Sequence, residues 1–137
     1  MSEALRAIVP TGAEAAVRDL QLSPAVAANG FVFVTGMTGS APDGTMPCDP
    51  AMQFRAALGK IDAVLREAGT SFAHVVDMTS YHVAIDEHFE AFRAARADYV
   101  SEPFPAWTAV EVAKLRRKGA LVEVRVVASI PERQGRA

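Results

Sequence analysis

The chain has 137 residues, half of them hydrophobic and 22% charged, which is the length of one domain, and area scaling buries about two thirds of such a chain's unfolded surface without disulfide or metal staples. Fourteen Lys and Arg against sixteen Asp and Glu leave a net charge of −2 with no block of either sign, which argues against a nucleic-acid binder. No run of about 18 apolar residues is present, so no segment is expected to span a membrane.

Met1-Ser2-Glu3 leads into mixed polar residues rather than a charged-then-apolar leader. The lone Cys48 suits a reducing compartment, and together these point to the cytoplasm. Ala4 to Val9 is a candidate short strand, cut off by Pro10 and Gly12. A second strand is expected from Leu22 through Val26, followed by the hairpin signal Asn29-Gly30 and a third strand, Phe31 to Thr35. Met37 to Pro47 reads as a loop, with Gly39, Pro42, Asp43-Gly44 and Pro47. Asp49-Pro50 opens a helix whose Phe54, Leu58, Ile61, Leu65 and Ala68 recur at helical spacing before Gly69. Val75 to Ala84 reads as a strand, and Asp86 as the cap of a second helix with Phe89, Phe92 and Tyr99 on one stripe. Strands over Trp107 to Val112 and Leu121 to Ile130 complete the chain, and a polar tail, residues 131–137, is expected to fray. The order predicts one α+β domain over residues 1–137, with its core about 22–130 and two helices on a mixed six-stranded sheet.

Read face by face, the strands carry a surplus of apolar surface. Val122, Val124, Val126 and Ala128 form one face of the last strand; Leu121, Glu123, Arg125 and Val127 form a second that is only partly polar. Phe31 and Phe33 lie opposite Val32 and Val34. Two helices cover one side of such a sheet, and an antiparallel sheet facing water alternates more cleanly. A second copy of the chain is therefore expected on the other face.

Candidate chemistry is sparse. His74, His82 and His88 make no i, i+4 pair and no cysteine pair exists, so no metal site is expected. Cys48 has no base beside it in sequence, no Gly-x-Ser-x-Gly elbow occurs, and Gly36-Met-Thr-Gly39 lacks the lysine of a phosphate loop. Thr35 and Gly36 remain candidates because loops at strand ends line pockets. Glu123 lies in the strand segment Leu-Val-Glu-Val, where a carboxylate is either paired or functional. Arg125, on the same face, is its candidate partner, and Glu111 poses the same question on the adjoining strand. Trp107 is the single tryptophan, a core or interface residue or else a binding platform. The basic residues Lys114, Arg116, Arg117 and Lys118 read as a solvated turn.

Phe104-Pro-Ala-Trp-Thr-Ala-Val-Glu-Val-Ala-Lys-Leu115, followed by Leu121-Val-Glu-Val124, resembles the C-terminal signature of the RidA/YjgF family. The hairpin from Asn29-Gly30 to Gly36 and the helix from Pro50 to Gly69 resemble that family's first hairpin and first long helix. The resemblance implies a chorismate-mutase-like fold and a homotrimer with ligand clefts between subunits. It also implies cofactor-independent hydrolysis of enamines and imines such as 2-aminoacrylate. In the founding type an arginine binds the substrate carboxylate and a glutamate positions water. Here the glutamate corresponds to Glu123 and the hydroxyl-glycine pair to Thr35-Gly36. The arginine position holds Trp107, the cleft tyrosine corresponds to Leu22, a commonly present cysteine to Ala109, and a polar helix residue falls near Arg93. With Trp107 offering a stacking face and one N–H, the resemblance implies a flatter, less anionic substrate. Deamination of a 2-aminomuconate-like compound and non-catalytic metabolite binding are the alternatives, with Arg93 or Arg125 as possible replacements for the lost arginine.

Overall fold

The computed structural model describes residues 4–132. Its elements are β1 (Arg6–Ile8), α1 (Glu14–Leu20), β2 (Ala25–Ala28), β3 (Phe31–Val34), α2 (Pro50–Glu67), β4 (Val75–His82), α3 (Ile85–Ala97), β5 (Ala106–Glu111) and β6 (Val122–Ser129). The strands form one sheet in the order β1-β2-β3-β6-β4-β5, parallel only between β4 and β5. The expected α+β class and six-stranded mixed sheet are present. A short third helix, α1, was not expected; it buries no residue, so no apolar stripe announces it, although Glu14 in its first turn and Arg18 in its last suit its dipole. Part of the expected tail, residues 133–137, lies outside the described residues.

Local chemistry accounts for most boundaries. Asn29 (φ 52°) and Gly30 (φ 82°) both adopt positive φ, the requirement of the two-residue turn joining β2 to β3. The Asp49 carboxylate accepts from the Met52 N–H at 3.0 Å and Pro50 follows, so α2 begins where the sequence places it. Such a cap contributes about 1 kcal/mol. The start of α3 differs from expectation. Asp86 lies inside its first turn, while the N-cap is Ala84 in the left-handed region. The capping acceptor comes from another strand: Glu111 accepts from the Ile85 N–H at 3.0 Å, which answers the question posed by that carboxylate. The helix also ends at Ala97, so Tyr99 lies beyond it and packs on Phe72, ring centroids 5.1 Å apart.

The core lies between the sheet and helices α2 and α3. Phe54, Leu58, Ile61 and Leu65 of α2 and Phe92 of α3 meet Val32, Val34, Met78, Val122, Val124 and Val126, all fully buried. Each large side chain so buried stabilises the fold by about 1.5–3 kcal/mol. The opposite sheet face stays uncovered within the chain. Phe31 and Phe33, 41% and 42% exposed, stand there with Val127 paired to Phe33, and Val110 lies on the same face at the β5 edge, as the alternation implies.

Candidate functional site

Two clefts collect the candidate residues. The first, of about 500 Å³, is lined by Leu22, Thr35, Gly36, Lys60, Arg117 and Glu123, among others, with apolar residues of α1 along one wall. β3 ends at Val34, and the chain then bends so that Met37 pairs with Val124 as an isolated bridge. That bend lays Gly36 under the Glu123 side chain. A Cβ at position 36 would lie 2.9 Å from the Glu123 carboxyl carbon and closer still to Oε2, so only glycine leaves the carboxylate its place. The Thr35 hydroxyl donates to the Ser23 carbonyl at 2.6 Å, which fixes the turn. Glu123 stands opposite Tyr81 on the uncovered face, half-buried. Its expected ion pair with Arg125 does not form: Arg125 is exposed, and no cation lies within salt-bridge distance of Glu123 among the described residues. Its carboxylate thus stands at the cleft wall without an ion-pair partner among the described residues.

The sequence missed this cleft's basic members. Lys60, half-buried on α2, donates to the Ser40 hydroxyl at 3.1 Å. Burial, and then the nearby Arg117, lower its pKa from the ordinary value. Arg116 and Arg117, read as part of a solvated turn, line the same cleft. Lys60 lies on the first long helix, and nothing in its local pattern distinguishes it from a solvated lysine.

The second cleft, of about 530 Å³, is lined by Arg93, Arg96, Ser101, Glu102, Phe104 and Trp107. Trp107 pairs with Met78 and Ala109 with Ser80, which places both on the helix-covered face, away from Glu123. Trp107 is not a vacant platform. Phe89 stacks on it, planes 8° apart and centroids 5.6 Å apart, and the Arg96 guanidinium carbon lies 3.8 Å from its ring centroid. Its N–H donates to the Ser80 hydroxyl at 2.9 Å. Ser80 in turn lies 2.8 Å from His82 Nε2, and both are fully buried. With Ser80 accepting from Trp107 and donating to Nε2, the only orphan is His82 Nδ1–H; the opposite tautomer would orphan the serine proton as well. Burial lowers the His82 pKa and so favours this neutral form. Arg93 pairs with Glu90 at 3.0 Å on the rim, and Ala109 lines neither cleft. Among the described residues, no three His, Cys, Asp or Glu side chains gather as a metal site, and no helix is long and apolar enough to cross a membrane.

Comparison with known proteins agrees with this architecture. The family profile described as Endoribonuclease L-PSP matches residues 14–130. The Escherichia coli protein named RutC family protein YjgH is 35% identical over 127 residues, covering 92% of this chain and 95% of that protein. The 2-iminobutanoate/2-iminopropanoate deaminase of Capra hircus is 31% identical over 130 residues, 93% of each chain. The crystal structure of Rv2704 from Mycobacterium tuberculosis, described as a member of the YjgF/YER057c/UK114 family, superposes with a TM-score of 0.78 at 28% identity. It covers 93% of this chain and 100% of that one.

Proposed function

The chain belongs to the RidA/YjgF family, and on that premise we propose that it is a cytoplasmic, cofactor-independent deaminase. It hydrolyses small imines, and the enamines that tautomerise to them, to carbonyl compounds and ammonia. The observation that carries the reading is Glu123, an unpaired carboxylate held over Gly36 at the wall of a cleft. The relative named as a 2-iminobutanoate/2-iminopropanoate deaminase supports the same chemistry. Glu123 accepts a proton from water as the oxygen attacks the imine carbon, and returns it to the nitrogen. Glu123 then takes the proton of the adduct's hydroxyl and passes it to the nitrogen, so that C=O forms as the C–N bond breaks and ammonia leaves.

The working form we propose is a homotrimer with small-molecule sites between its subunits. Support comes from the uncovered sheet face with Phe31 and Phe33, which needs a cover, and from the division of candidate residues between two faces of one sheet. Glu123 of one protomer and the Trp107 cleft can share a substrate only if the second cleft belongs to another copy.

The test is ammonia release from 2-aminoacrylate generated enzymatically in the assay. The expected result is release well above the spontaneous rate in buffer. Release at the buffer rate, for this substrate and for 2-aminomuconate, rejects the enzyme and leaves a metabolite-binding protein.

A further inference from the structure

We propose that Arg96 receives the substrate's carboxylate, with Trp107 as the platform that orients it. The chain thereby takes 2-imino acids although position 107 holds no arginine. This choice of substrate class rests on the deaminase reading above, while the anion site itself stands on geometry alone.

Arg96 is half-buried on α3, and among the described residues its side chain makes one hydrogen bond, from Nε to the Met78 sulfur at 3.4 Å, a weak acceptor. Its terminal nitrogens have no acceptor and no carboxylate within salt-bridge distance among the described residues. The other arginine of this cleft, Arg93, is engaged by Glu90, and Glu102 on the same wall reaches neither guanidinium. Burial works against the charge of Arg96, yet a guanidinium stays protonated, so the site carries a desolvated cation whose fork lacks a partner. A carboxylate matches that fork with two parallel hydrogen bonds.

The surroundings keep the fork in place. The Trp107 ring under the guanidinium is locked by its bond to buried Ser80, itself bonded to His82, and by Phe89 stacked against it. A neutral His82 leaves this column without a second positive charge to repel Arg96. Trp107 thus supports a cation where the sequence suggested a ligand would stack, and the cleft favours an anionic substrate rather than a less anionic one. Lys60, Arg116 and Arg117 in the other cleft are the rival cations, but Lys60 already donates to Ser40 and offers no planar fork, and Arg116 and Arg117 are exposed to solvent.

Trp107 is the only tryptophan, so its emission reports on this site directly. Titration of the full-length protein with 2-oxobutanoate should give a saturable fluorescence change, absent with neutral 2-oxobutanamide. Arg96→Met should abolish it and Arg96→Lys should weaken binding at least tenfold, with calorimetry giving the same order. Unchanged binding in Arg96→Met, loss in Lys60→Met alone, or no saturable change in the wild type would each overturn the assignment. If the wild type binds the acid through Arg96 but releases no ammonia from 2-aminoacrylate, the catalytic reading fails and the anion site stands.

Discussion

Glu123→Gln is expected to lower the rate of ammonia release from 2-aminoacrylate by about 10²–10⁴-fold, the usual size of a general acid–base contribution. The variant keeps the shape of the side chain over Gly36 and removes only its basicity. Because Glu123 makes no ion pair, no opposite charge is left stranded. Stability should change by no more than about 0.5 kcal/mol, as for a substitution away from paired or core groups. The two measurements separate chemistry from folding: kcat collapses while the melting temperature holds. A variant that keeps more than about a tenth of the wild-type rate would remove Glu123 from proton transfer.

Gln53→Leu is expected to cost the fold about 3 kcal/mol, read as a fall in melting temperature on the order of 10 °C. Gln53 is 1% exposed on the core side of α2. Its Nε2 donates to the carbonyls of Pro47 at 3.0 Å and Gly119 at 3.2 Å, and its Oε1 accepts from the Leu121 N–H. One amide therefore ties the loop before α2 to the turn that leads into β6, the strand that carries Glu123. Leucine fills much of the same volume but leaves three backbone groups without partners, each costing about 1–3 kcal/mol where buried. Denaturant unfolding measures the difference. A loss below about 1 kcal/mol would mean that water replaces all three bonds.

The difference between what could be read in the sequence and what could not follows from range. The hairpin at Asn29-Gly30, the capped start of α2 and the alternation of β6 are local patterns, and each appears as the sequence implies. The uncovered apolar face was legible too, because period-two alternation assigns faces without a structure. Contacts between distant residues were not legible. Glu111 capping α3, Gln53 bridging two loops and Arg96 lying over Trp107 each join residues from separate elements. For Glu123 the nearest residue in sequence, Arg125, suggested an ion pair, but the deciding neighbour is Gly36, brought beneath it by the bridge between Met37 and Val124. Trp107 stands where the resemblance places the family arginine, and the sequence leaves its surroundings open. Its role depends on Phe89, Ser80 and Arg96, and the pairing of β5 with β4 brings Ser80 to it.

The central claim, that each active site joins the Glu123 cleft of one protomer to the Arg96 cleft of another, is tested most directly by subunit complementation. Glu123→Gln chains and Arg96→Met chains, each inactive as a homotrimer, would be co-expressed, mixed trimers confirmed by native mass, and ammonia release from 2-aminoacrylate measured. Random assembly restores a complete site wherever an intact Glu123 meets an intact Arg96, so about a quarter of the wild-type activity should return. Mixed trimers that remain as inactive as either parent would contradict the shared site.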